Sequence, residues 1–137
     1  MNIAVLCPSE IALRRFMPAL HVTDAFTFVG IGVASPSEWF GCRLAEVPAE
    51  AVADQQRREY SKAEVFVSRF GGRVFNSYSE LLEDDEVEAV YVPLPPGLHF
   101  QWARAALAAG KHLLVEKPAA ISFEESAELI KIATENE

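Results

Sequence analysis

A chain of 137 residues with a formal charge of -8, from 20 acidic and 12 basic residues, fits one domain. It lacks the basic balance that nonspecific nucleic-acid binding or adhesion to an anionic membrane needs. Half of its residues are hydrophobic and a tenth aromatic, enough for a sizeable core and too many for general disorder.

The start, Met1 to Pro8, has no basic n-region and only a short apolar run, so it does not read as a signal peptide. No stretch approaches the roughly 20 apolar residues of a membrane span, and the chain reads as cytoplasmic and soluble. Two cysteines, Cys7 and Cys42, are too few for a disulfide framework and lack metal spacing; they read as buried structural thiols.

Residues 3–6 form a short continuous apolar run, as buried parallel strands do. Ile11, Phe16, Ala19 and Leu20 then fall on roughly one helical face. Residues 26–34 read as a second strand, ending in the turn cluster Ser35-Pro36-Ser37, and residues 37–46 read as loop. From Pro48, suited to a first helical position, to about Phe70 the composition is helical, and Gly71-Gly72 stops it.

Val74-Phe75 is a short strand. Ser77-x-x-Glu80 is a capping-box pattern opening a short helix at Leu81-Leu82. Residues 89–92 form the fourth strand, 98–109 a helix closed by Gly110, and 113–115 the fifth strand. Ser122-x-x-Glu125 opens a last helix, with Phe123, Ala127, Leu129, Ile130 and Ala133 spaced for one buried face. This alternation predicts an α/β fold: a doubly wound parallel sheet, Rossmann-like, in three αβα layers.

The first strand–turn–helix is where such a fold keeps a G-x-G-x-x-G/A turn. Here the window reads Cys7-Pro8-Ser9-Glu10-Ile11-Ala12, with only the small third position kept. A side chain at the second glycine position holds the backbone off a pyrophosphate, and positive φ there costs about 1–2 kcal/mol. Pro8 removes a donor. Glu10, in the first helical turn, places a charge where a diphosphate would sit. At about 5 Å and an effective dielectric near 20 that costs on the order of 3 kcal/mol, roughly a hundredfold in affinity, unless Glu10 turns outward. From this window alone an ordinary helix cap is the favoured reading. At the second strand's end Ser35 and its neighbours offer hydroxyls, Glu38 comes slightly late, and Arg43 lies further along the loop.

Pro93-Leu94-Pro95-Pro96-Gly97-Leu98-His99 reads as a proline-rich strand-to-helix connection, with His99 a capping or surface residue and Trp102 core. The segment Leu113-Leu114-Val115-Glu116-Lys117-Pro118 is a strand that ends in a charged pair. Such a pair costs desolvation unless it serves a salt bridge or a ligand. It is either a salt bridge at the sheet edge or a lysine aimed at a substrate hydroxyl.

Phe70-Gly71-Gly72, Tyr78-x-Glu80-Leu81-Leu82, the run from Val87 to Pro95, His99, and Ala108-Ala109-Gly110-Lys111-His112 through Glu116-Lys117-Pro118 together resemble the cofactor domain of the Gfo/Idh/MocA oxidoreductases. The resemblance spans Lys62 to the C-terminus; Ile11-Ala12 and Pro18-Ala19-Leu20 look like the family's first helix. It implies a domain over residues 1–137 that binds NAD or NADP, with hydride transfer to or from a sugar-like or polyol hydroxyl.

By that resemblance Lys117 is the catalytic residue, binding and polarising the substrate hydroxyl, and Glu116 lies beside the nicotinamide ribose. His99, Pro93 and Leu94 flank the cofactor, and Ser9, Glu10, Ile11 and Ser35 complete the set of expected contacts. The chain departs from the family's pattern at the glycine turn, at Pro96 in place of asparagine, at Pro36 in place of a basic residue, and in a helical insertion of some 20 residues at about 39–60. The family's substrate domain, with its second catalytic residue, is expected to be missing. The isolated domain is then inactive, and its uncovered interface promotes self-association. The alternative is a non-catalytic sensing or interaction module of the same fold, with cofactor binding weak or lost.

Overall fold

The computed structural model describes residues 1–136. Five strands, β1 (Asn2–Val5), β2 (Thr27–Gly32), β3 (Arg73–Phe75), β4 (Ala89–Val92) and β5 (His112–Val115), form one sheet in the order β3-β2-β1-β4-β5. Every pairing is parallel. The central strands are apolar on both faces because helices cover both. Ile3, Val5, Ile31 and Val33 share one apolar cluster with Met17, Ala63 and Phe66, while Leu6, Val90 and Val92 share the opposite one with Tyr78, Leu81 and Trp102. The three-layer αβα arrangement read from the alternation is therefore present.

The helices are α1 (Met17–His21), α2 (Pro36–Phe40), α3 (Ala49–Phe70), α4 (Tyr78–Glu83), α5 (Pro96–Ala108) and α6 (Phe123–Glu135). A π turn over Ala12–Phe16 leads into α1. Its extra residue rotates the helix face. Ala12, Met17 and Leu20 are buried, whereas Ile11 and Ala19, expected on the buried face, are exposed. Phe16 stacks on Tyr91 with ring centroids 3.9 Å apart.

Residues 37–46, expected as loop, are helical: α2 is followed by a 3-10 segment, Gly41–Glu46. Ser35 caps α2 in a complete capping box with Glu38, and Pro36 opens the helix. At Ser77 and Ser122 the hydroxyl accepts from the third residue's amide as expected. There, however, the glutamates reach back one residue further, to the amides of Asn76 and Ile121. Pro48 caps α3 instead of starting it. Gly72 has φ +76°, and a Cβ there would lie 2.9 Å from the Val29 carbonyl, so only glycine lets β3 come alongside β2.

Cys7 is buried, but Cys42, expected buried, is exposed in the 3-10 segment. On α6 only Leu129 of the expected face is fully buried, in a cluster with Ala103 and Leu107 of α5. Phe123 and Ile130 are 81% and 68% exposed, because α6 packs on α5 along a narrow stripe. Among the described residues no helix is long and apolar enough to cross a membrane.

Candidate functional site

β1 turns to β2 and β3 on one side of the sheet and meets β4 on the other, so the connections diverge at the carboxyl ends of β1 and β4. In open α/β sheets that is where ligands bind. A crevice of about 500 Å³ lies there, and its walls include Cys7, Pro8 and Ser9 after β1, Ala34 and Glu38 after β2, and Pro93 and Leu94 after β4. A larger hollow, about 620 Å³, opens between β5 and α6; it is lined by Leu107, Leu113, Leu129 and Ile130 and lies off that divergence.

The turn after β1 closes without glycine. No residue other than glycine has positive φ among those described, so the expected strain is absent. The chain folds tightly instead: the Ser9 amide donates to the Cys7 carbonyl at 2.9 Å, and the Ser9 hydroxyl accepts from the Ala12 amide at 3.2 Å. The Cys7 thiol donates to the Pro93 carbonyl at 3.5 Å, tying the β1 turn to the β4 loop. Burial, reinforced by the Glu59 carboxylate, pushes this thiol up to about 12, so it stays protonated and inert.

Glu10 turns outward. Its carboxylate pairs with Arg14 Nε at 2.6 Å, and both side chains are 75% exposed. An exposed, paired carboxylate is screened by water and salt, so the hundredfold penalty does not apply. We predict that Glu10→Gln changes nicotinamide-dinucleotide affinity less than about fivefold by calorimetry, since the pair is worth at most about 1 kcal/mol. A tenfold gain would contradict the outward placement.

At the end of β2 the Glu38 carboxylate accepts four hydrogen bonds: the amides of Ser35, Tyr78 and Ser79 at 2.8, 2.9 and 2.9 Å, and the Ser79 hydroxyl at 2.8 Å. Burial raises this carboxyl, but the four donors outweigh burial and hold it below its ordinary value of 4.5. A depressed value means stability that is present above pH 4.5 and lost as the pH falls through the folded value. Glu38→Ala is expected to cost about 2 kcal/mol in urea unfolding at pH 7 and to lose less stability than the parent on acidification. Equal acid sensitivity in the two proteins would contradict this role. The residue locks α2 to the start of α4, and its oxygens are spent.

His99 is fully buried, neither a surface residue nor a cap. Its Nδ1 lies 2.7 Å from the Pro118 carbonyl oxygen and its Nε2 2.5 Å from that of Leu94, so one ring joins the loops after β4 and β5. Glu116 accepts from the Tyr91 hydroxyl at 2.6 Å. Burial, then the Glu116 bond and charge, raise that phenol well above its ordinary range. The strand-end pair is thus held by a phenol and not by a salt bridge; Lys117 is exposed and in no ion pair among the described residues.

Of the residues expected at the site, Ser9, Pro93 and Leu94 line the crevice. Glu10, Ile11, Ser35, His99, Glu116 and Lys117 do not form its walls; Ser35 sits in the adjoining cap, and Glu116 and Lys117 stand at the neighbouring end of β5. Trp102 reads as core and is buried, yet it also edges the crevice, in a T-shaped contact with Tyr78 at 5.0 Å. Trp39, Glu59, Lys62 and Tyr78 line it without having been singled out as ligand contacts. The helical spacing Glu59-x-x-Lys62 was visible in the sequence; the face it presents to the crevice was not.

The doubly wound sheet and a crevice at its divergence define a Rossmann-type dinucleotide domain. A family model described as an oxidoreductase family with an NAD-binding Rossmann fold matches residues 25–137, and the chain belongs to this family, the Gfo/Idh/MocA oxidoreductases. It is 38% identical over 135 residues, 98% of its length, to the dTDP-3,4-didehydro-2,6-dideoxy-alpha-D-glucose 3-reductase of Actinomadura kijaniata, of which it covers 33%. It is 40% identical over 99 residues, 72% of its length, to D-xylose 1-dehydrogenase (NADP(+)) 2 of Haloferax volcanii, of which it covers 29%. A crystal structure of a 3-ketoreductase from Actinomadura kijaniata in complex with NADP and TDP-benzene matches 99% of this chain and 34% of its own. The TM-score there is 0.75, at 34% identity. The chain spans about a third of the length of these relatives.

Proposed function

We propose that this chain is the nicotinamide-dinucleotide domain of an oxidoreductase that acts on a sugar-like substrate, the sugar-nucleotide ketone of its relatives being the first to test. One observation carries the reading: a crevice stands open at the β1/β4 divergence although the turn beside it has no glycine. The fit to a dinucleotide is good. The first amides of a helix have no partner within it, and Ser9 satisfies only that of Ala12, which leaves the amides of Glu10 and Ile11 for an anion. The Glu10 charge is turned away from them.

The bound dinucleotide supplies the hydride. The chain's own residues do the rest. Pro93 and Leu94 form a wall of the crevice and would hold the cofactor there, and Cys7 and His99 tie that wall to the turns after β1 and β5. Glu116, oriented by Tyr91, borders the reacting end. The Lys117 ammonium, in no ion pair among the described residues, binds the substrate oxygen and donates to it as charge develops. The substrate's second wall belongs to sequence beyond this third of the relatives' length.

The test is NADPH oxidation with dTDP-linked 3-keto sugar, followed by absorbance, on the 137-residue chain and on a protein extended to the relatives' length. Turnover by the extended protein and none by the 137-residue chain is the expected result. Turnover by the short chain alone would overturn the division of the site.

A further inference from the structure

We propose that the segment from Trp39 to Lys62 forms a subsite for the 2′-phosphate of NADP and sets this chain's preference for NADPH over NADH. The inference rests on the dinucleotide reading above. The sequence sets most of this segment apart as a helical insertion at about 39–60. In the structure it encloses a hollow of about 390 Å³, lined by Trp39, Phe40, Gln55, Arg58, Glu59 and Lys62 among others. Trp39, Glu59 and Lys62 also line the main crevice, so the two spaces adjoin.

The hollow hangs on the end of β2, the position from which dinucleotide folds read the adenosine ribose. Gln56 Nε2 donates to the Ala34 carbonyl at 2.8 Å and to Gln55 Oε1 at 2.7 Å. These two bonds fix which way the Gln55 amide faces. Its Nε2 is left with no partner, the only buried side-chain nitrogen or oxygen so placed among the described residues, although Gln55 is just 5% exposed. Buried donors are almost always satisfied, and one that is not calls for an acceptor.

The charges around it call for an anionic one. Arg58 is in no ion pair among the described residues. Lys62 pairs only with Glu59, at 2.6 Å, and its side chain is 58% exposed. Two cations thus face one carboxylate, in a chain whose net charge is -8. A 2′-phosphate offers acceptor oxygens to the amide donor and negative charge to the two cations, and it is the anionic group that a dinucleotide can bring to the end of β2. A free 2′-hydroxyl would be recognised by a carboxylate at the end of β2, and Glu38 there is spent on four donors.

The experiment is calorimetric titration of the 137-residue chain with 2′,5′-ADP, 5′-AMP, NADPH and NADH, repeated on Arg58→Gln and Lys62→Gln. Both altered side chains lie at the surface, and melting curves matching the parent's will show that the variants fold. The parent is expected to bind 2′,5′-ADP at least tenfold tighter than 5′-AMP, and NADPH tighter than NADH by a similar factor. Each variant is expected to cut that ratio about tenfold, almost wholly through the phosphorylated ligand. Glu59→Gln separates the two possible readers of the ribose: NADPH affinity rises if the cations read a phosphate, whereas a loss of NADH affinity would assign the ribose to Glu59 and overturn the proposal. Equal affinity for NADPH and NADH, with variants that leave the ratio unchanged, would overturn the subsite and leave the dinucleotide reading intact. No binding of any of the four ligands would overturn both.

Discussion

Lys117→Ala, made in a protein extended to the length of its relatives, is expected to lower kcat by about 10²–10⁴ while dinucleotide affinity stays within about threefold. The magnitude is that of a positioned proton donor. β5 pairs with β4 along its whole length, Val115 facing Val92, so the chain leaves the sheet at the same level as the crevice wall. Glu116 is then pinned to Tyr91, and the Lys117 amide points back at the Glu116 carboxylate at 3.3 Å. His99 holds the following Pro118 carbonyl. The backbone on both sides of Lys117 is fixed while its ammonium is in no ion pair among the described residues, the arrangement a binding cation needs and a structural salt bridge would not show. Lys117→Arg is expected to recover little, because the planar guanidinium is a poor proton donor at neutral pH. Turnover within threefold of the parent for the alanine variant would remove Lys117 from the reaction.

Phe66→Ala is expected to be the most damaging core substitution to the long helix. It should cost about 3–5 kcal/mol in urea unfolding, from lost transfer free energy and the cavity left behind. Phe66 is 1% exposed and shares its cluster with Ile31 of β2, with Val33 just beyond that strand, and with Ala63 one turn earlier on α3. α3 runs 22 residues, and its middle turns carry Gln55, Arg58, Glu59 and Lys62 past the end of β2. The anchor on the sheet therefore also sets the position of the hollow. A loss under 1 kcal/mol would mean that the helix is held elsewhere, for example through the Gln56 bond to Ala34.

The strands were legible because each is a short apolar run between turn residues, and the two-sided burial of Ala89–Val92 follows from its sequence. The π turn at Ala12–Phe16 was not, since nothing in composition distinguishes a five-residue hydrogen-bond step from a four-residue one, and the buried face of α1 shifted with it. α2 was hidden by its own start: Ser35-Pro36-Ser37 carries the residues of a turn and equally those of a capped helix. The charged strand end was readable as a site candidate because buried strands seldom end in two charges. The state of Glu10 was not, since the choice between facing a ligand and pairing with Arg14 is a rotamer choice. Glu38 was legible only as an acid slightly late after β2. Its partners Tyr78 and Ser79 are 40 and 41 residues away, a distance at which only the fold brings groups together.

The central claim is that a turn without glycine, Cys7-Pro8-Ser9-Glu10, still borders a working dinucleotide crevice. Calorimetric titration of the 137-residue chain with NADPH tests it most directly. The structure predicts saturable binding with one site per chain and a micromolar dissociation constant. Silence at millimolar NADPH and NADH would contradict it.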